Sequence, residues 1–240
     1  MSERPDGRGP AELRPVKVEL GFQEWAEGSV LLEMGKTKVL VSASHEDRAP
    51  RFLQGTGKGW VTAEYSMLPR ATAERTPREV GKGRPSGRTQ EIQRLVGRSL
   101  RAVTALDRLG ERTIWIDCDV LQADAGTRTA SITAGFLALA LALRTLRDRS
   151  VLTTDVLTDS VAAVSAGIVG GRPILDLSYE EDASADVDFN VVMTGSGKLV
   201  ELQGTAEGAP FSREELSALV DLAEVGIRQL TDLQRRILGT

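Results

Sequence analysis

The chain has 240 residues, 41% of them apolar and only 4% aromatic, with 24 glycines, one cysteine and one histidine. That is ample material for a core of Leu, Val, Ile and Ala with many tight turns, which argues for mixed α/β layers and against a disordered chain. The net charge of −4 points by itself to neither nucleic acid nor membrane, and one cysteine excludes an internal disulfide.

The first ten residues are charged and lack the apolar stretch of a secretory signal, so a cytoplasmic protein is the expectation. Short β-like runs at 16–20, 29–34 and 38–44, broken by Glu27-Gly28 and Gly35-Lys36, predict an antiparallel meander. Gly35-Lys36-Thr37 looks like the end of a nucleotide P-loop, but Val30 stands where that motif needs its first glycine, and the reading is rejected. His45 has no Cys or His partners for a zinc site and no Gly-x-Ser-x-Gly elbow for a serine triad.

After the glycine-rich turn 55–59, residues 60–68 predict a fourth strand. The polar stretch 69–87 then reads as a long loop, a length that is usually functional or disordered. From Arg88 the apolar residues Ile92, Leu95, Val96, Leu100, Val103 and Leu106 fall at helical spacing, beside a stripe of Arg94, Arg98 and Arg101. Residues 70–101 hold nine basic and three acidic side chains, a local net of +6 that leaves −10 on the remainder. Such asymmetry suits contact with a polyanion, although a solvated loop and helix face would look the same.

Residues 113–123 predict a strand in which Cys118 is a buried, inert thiol of a reducing compartment. The strand passes through Asp124-Ala125-Gly126 directly into a helix predicted over 127–146. A helix start leaves about four N–H groups unpaired and carries roughly half a positive charge, so it attracts anions. Gly126 permits close backbone approach, Thr127 and Thr129 offer hydroxyls, and Arg128 offers a guanidinium fork. The plain alternative is a capped turn with a surface arginine. Residues 134–143 are apolar almost all round and predict a central buried helix; the run is short of the ~18 residues of a membrane span.

Further strands are predicted at 161–169, 173–178, 187–194 and 199–203, and a last helix starts at Ser212 with a Ser-x-x-Glu box to Glu215. Asp176, Glu180, Glu181, Asp182, Asp186 and Asp188 form an acidic cluster with no basic residue inside it. Such clusters are often only solvated. Asp182 before a turn and Asp188 at a strand start could converge, either to hold Mg²⁺ together with substrate phosphates or to supply a general acid. No linker or repeat divides the chain, so one α+β domain over residues 1–240 is expected. The parts suggest phosphate chemistry on nucleic acid, without saying whether the phosphate attacks, leaves or belongs to the chain.

Several motifs in order carry a resemblance over almost the whole length: Gly28-Ser29-Val30-Leu31, Thr37-Lys38-Val39-Leu40, residues 60–69, residues 86–95, residues 117–131, Tyr179-Glu180-Glu181-Asp182, residues 188–192 and residues 203–208. With these the chain resembles the ribonuclease PH family, phosphate-dependent exoribonucleases similar to polynucleotide phosphorylase and to exosome ring subunits. The resemblance implies the two-layer α+β fold called ribosomal protein S5 domain 2-like, a homohexameric ring, and a tRNA nucleotidyltransferase. Such an enzyme uses inorganic phosphate to trim tRNA 3′ ends, and structured rRNA, as nucleoside diphosphates. It further implies phosphate binding by Arg88, Gly126, Thr127 and Arg128, catalysis and Mg²⁺ binding by Asp182 and Asp188, and tRNA guidance by Arg70, Arg75 and Arg78. A catalytically silent RNA-binding ring subunit is the alternative. Ala125 stands where the family pattern Asp-Gly-Gly-Thr-Arg has glycine, which matters only if φ there is positive.

Overall fold

A computed structural model of the chain describes residues 4–239. The first three residues of the charged N-terminal stretch, and the side chain of Lys82 in the basic segment, lie outside the described residues. Period-two alternation builds the first strands, β1 (Val16–Leu20), β2 (Gly28–Met34) and β3 (Thr37–Glu46). Val30, Leu32 and Met34 on β2 and Val39, Val41 and Ala43 on β3 turn inward, as the pleat requires.

Those three strands form the expected antiparallel meander. The next strand, β4 (Trp60–Met67), leaves it: the chain crosses over through α1 (Gly87–Arg101) and the short α2 (Leu106–Leu109) to β5 (Thr113–Gln122). β5 pairs antiparallel with β3 and parallel with β4, giving the order β1-β2-β3-β5-β4. A parallel pair cannot be joined by a hairpin, and α1 is the connection that makes it possible. Ile92, Leu95, Val96 and Leu100 are its buried stripe. Leu106 does not continue that stripe: α1 stops at Arg101, the Ala105 N–H bonds the Val156 carbonyl at 2.8 Å, and Leu106 opens α2.

The helix α3 (Thr127–Asp148) lies between the two halves, against β2 and β3 on one side and β6 (Val161–Val169) on the other. A Cβ on Gly28 would sit 2.2 Å from the Ala138 carbonyl oxygen, so helix and strand meet backbone to backbone only because that residue is glycine. By length and composition α3 could cross a membrane, more than the ten-residue apolar run suggested; most of that stretch is buried inside the protein.

After β6 come β7 (Arg172–Leu175), α4 (Tyr179–Asp182), β8 (Val187–Thr194), β9 (Leu199–Ala206) and α5 (Arg213–Leu238). The second sheet is antiparallel, in the order β7-β6-β8-β9, and α5 packs on it. Ser212 caps α5 as expected: the Glu215 N–H donates to its hydroxyl at 3.1 Å, and its own N–H donates to the Glu215 carboxylate at 2.6 Å. The strand expected over 173–178 ends at Leu175, because residues 178–181 close a second capping box and start α4. One apolar core runs through both sheets and α1, α3 and α5. Cys118 is buried there and free, and desolvation pushes its thiol far up, which keeps it unreactive.

Candidate active site

The turn from β5 into α3 holds Ala125 at φ +57° and Gly126 at φ +63°, two consecutive left-handed residues. The departure at Ala125 therefore falls where alanine is strained. Thr37 stabilises this shape, with its hydroxyl donating to the Ala125 carbonyl at 2.7 Å and accepting from the Asp124 N–H at 2.9 Å. Among the described residues no side chain caps the start of α3, and Gly126, Thr127 and Arg128 line the adjoining cavity, so the dipole of the helix start is open to an anion there.

Thr127 Oγ1 lies 2.8 Å from the phenol oxygen of Tyr65, which is buried. Burial raises the Tyr65 pKa and keeps the phenol neutral, so it can donate to the Thr127 hydroxyl or accept from it. A phenol that donates here leaves the Thr127 proton free for an anion. Arg128 is held from one side only: its Nη1 donates to Gln203 Oε1 at 2.8 Å and to Glu91 Oε1 at 3.1 Å. Gln203 in turn donates to the same Glu91 oxygen at 2.9 Å, so the guanidinium is fixed by β9 and α1 together.

A cavity of about 760 Å³ gathers Arg88, Gly126, Thr127, Arg128, Asp182 and Asp188. Arg88 comes from the first turn of α1, whose Ser86 cap accepts from the Thr89 N–H at 3.2 Å. Asp182 ends α4 and Asp188 lies at the start of β8, so six residues from four elements and the turn before α3 meet. Burial pushes both carboxyls above the usual range; for Asp188 the charge of Asp182 pushes further, while Arg128 and Arg88 pull back on both. Of the loop arginines, Arg70 lines the same cavity, whereas Arg75 and Arg78 are exposed on the same loop and do not line it.

Among the described residues no group of three His, Cys, Asp or Glu side chains could hold a metal. The pair Asp182 and Asp188 nevertheless suits Mg²⁺, which takes one or two carboxylates and completes its shell with water and substrate phosphates. Neither spacing nor periodicity assigns a role to Tyr65, Thr37, Glu91, Gln203 or the α4 cap. Only the last had a local signal, Ser178-x-x-Glu181, in which the Ser178 N–H donates to Glu181 Oε2 at 2.8 Å.

Residues 12–144 match domain 1 of the 3′ exoribonuclease family, and residues 159–226 match domain 2. Ribonuclease PH of Bacillus subtilis (strain 168) is 61% identical over 237 residues, covering 98% of this chain and 97% of that protein. Ribonuclease PH of Syntrophomonas wolfei is 57% identical over 237 residues, covering 99% of each. Among solved structures, the Archaeoglobus fulgidus exosome with RNA bound to the active site superposes with a TM-score of 0.80 at 25% identity, covering 96% of this chain and 92% of that one. The two-layer α+β, ribosomal protein S5 domain 2-like fold is thus shared, and the chain belongs to the 3′ exoribonuclease family.

Proposed function

We propose that inorganic phosphate sits at the start of α3, held by Arg88, Arg128, the Thr127 hydroxyl and the backbone at Gly126, and attacks the last phosphodiester of an RNA 3′ end. As a member of its family the chain is a phosphorolytic 3′-5′ exoribonuclease of the nucleotidyltransferase class. One observation carries the assignment of residues: two arginines and a bare helix start face two carboxyls of raised pKa across one cavity. The donor groups come from residues 12–144 and the carboxyls from 159–226, so the two halves act as one catalytic unit.

A phosphate oxygen bonds to the terminal phosphorus, the bond from that phosphorus to the penultimate 3′ oxygen breaks, and this oxygen takes a proton. The products are a nucleoside diphosphate and an RNA one residue shorter. The step exchanges a phosphodiester for a phosphoanhydride and is reversible, adding nucleotides when diphosphate is abundant. Arg88 and Arg128 orient the nucleophile and offset its charge, and one of the raised carboxyls supplies the proton. Mg²⁺ held with the substrate phosphates by whichever of Asp182 and Asp188 stays ionised would neutralise charge on the transferring phosphoryl group.

The substrate class we propose is the 3′ end of precursor tRNA and structured rRNA. Arg70 at the cavity and Arg75 and Arg78 on the exposed loop would follow the RNA backbone. Likeness to an exosome chain supports a ring-like assembly, and the resemblance supports a homohexamer. A free, buried Cys118 suits a reducing, cytoplasmic setting. The rival, a silent RNA-binding ring subunit, would have no use for both arginines and both carboxyls.

The test is nucleoside diphosphate release from a precursor tRNA with and without phosphate. Release only with phosphate is expected, while equal release of monophosphate without it would overturn the proposal. In Arg128→Ala, phosphorolysis falls by ~100-fold or more while RNA binding stays. A silent subunit would show no phosphorolysis before or after.

A further inference from the structure

We infer that Arg14, anchored on Asp176, is a positioning residue that sets the phosphate-binding turn against the carboxyl-bearing helix α4. The inference rests on the phosphate reading of the site above. Arg14 lies just before β1, outside the cavity lining, and is 3% exposed. Asp176 follows β7 and is fully buried, with φ at +52°, in the left-handed region that few residues other than glycine adopt.

The pair is joined three times. The Arg14 backbone N–H and Nε donate to Asp176 Oδ2 at 2.7 and 3.0 Å, and Nη2 donates to Oδ1 at 2.7 Å. The remaining guanidinium nitrogen, Nη1, reaches the other half of the molecule: it donates to the Asp124 carbonyl and lies 3.7 Å from that residue's carboxylate. Asp124 is the first residue of the turn. Its Oδ1 accepts at 3.1 Å from the N–H of Tyr179, the first residue of α4, which ends at Asp182. A single guanidinium thus touches both the turn that would seat the phosphate and the segment leading into the catalytic carboxyl.

Neighbouring contacts leave this joint little freedom. Arg4 forks onto Glu181 at 2.7 and 2.8 Å, beside Asp182, and Arg4 and Arg8 each donate to the Asp176 carbonyl at 3.0 Å. A Cβ on Gly126 would come within 2.9 Å of Arg14 Nη2, so the glycine of the turn is shaped to the arginine as well as to its own φ. Arg14 thus bonds Asp176 and the neighbour of Ala125, the two left-handed non-glycine residues nearest the site. Left-handed backbone held at two points by a buried charge pair that packing alone could replace fits a device for geometry better than one for stability.

The test uses the full chain carrying Arg14→Lys, which keeps the charge and loses the fork. Phosphorolysis of an oligoribonucleotide is followed against phosphate concentration, and melting is recorded with and without inorganic phosphate. We expect kcat/KM for phosphate to fall about 10- to 100-fold, the range of a roughly 1 Å misplacement, with KM for the RNA within about twofold. The rise in melting temperature caused by phosphate should shrink in parallel. Asp176→Asn, nearly identical in shape, should move the same constants in the same direction by less, and it decides the matter if Arg14→Lys does not fold. A folded variant that melts lower but keeps its kcat/KM for phosphate reduces the pair to a stabiliser and overturns the inference. A wild-type chain whose activity ignores phosphate overturns the site reading itself, and this inference with it.

Discussion

Each end of α3 opens into a cavity of similar size, about 760 Å³ at the start and about 660 Å³ at the finish, yet the two differ in what their charges lack. At the C-terminal end the last carbonyls are taken by the N–H groups of Arg149, Ser150, Val151 and Leu152. There Arg147 pairs with Asp155, Arg235 pairs with Asp232 at 2.6 Å, and Arg144 donates to the Leu238 carbonyl at 2.6 Å. At the N-terminal end no side chain caps the helix, the turn is strained, and two carboxyls are pushed up by burial. Volume does not separate the two. Uncompensated donors facing displaced carboxyls do.

The contrast is sharpest where one charge is removed from the uncompensated end. Asp188→Asn should lower phosphorolysis by about 100-fold or more with folding intact, since it strips a carboxyl proposed to act on the reacting atoms. Steady-state rates beside a circular dichroism melt would check it, and near-normal turnover would erase the distinction between the cavities. Tyr65→Phe removes one hydrogen bond to Thr127 and should raise KM for phosphate about fivefold, as expected for losing one neutral hydrogen bond of about 1 kcal/mol. A change in kcat alone would assign Tyr65 to the chemistry instead of to seating the anion.

Ala125→Gly relieves the left-handed alanine and should stabilise the chain by about 1 kcal/mol, a rise of about 2–4 °C in Tm. No gain would mean that the Thr37 and Arg14 bonds already absorb the strain. Arg147→Ala at the compensated end should change stability by less than about 0.5 kcal/mol, because its partner Asp155 is mostly exposed. Activity should be untouched, and any loss there would break the comparison from the other side.

Reading the sequence recovered what is local. The alternation of β2 and β3, the stripe of α1, the all-round apolarity of α3 and the Ser212 cap each lie within one segment, and each element formed within a few residues of its expected place. The position of β4 was not legible, because antiparallel and parallel neighbours share the same pleat and only the crossover decides. Arg88, Gly126, Thr127, Arg128, Asp182 and Asp188 were legible as residue types suited to phosphate and metal, and the fold brings all six to one cavity. Their supports were not. Arg14 and Asp176 are 162 positions apart, and Tyr65 and Thr127 are 62 apart, distances over which no periodicity or spacing rule reaches. Ala125 was the partial case: its substitution was visible, but its positive φ came from the turn.

If the N-terminal end of α3 delivers the attacking phosphate, the phosphorus of inorganic phosphate ends in the product. The most direct measurement supplies isotopically labelled inorganic phosphate to the enzyme and a precursor tRNA, then locates the label among the released nucleotides. Attack by phosphate places one labelled phosphate in each nucleoside diphosphate, at the terminal position, with none in the shortened RNA. Unlabelled nucleoside monophosphates would show that water attacks, and would contradict it.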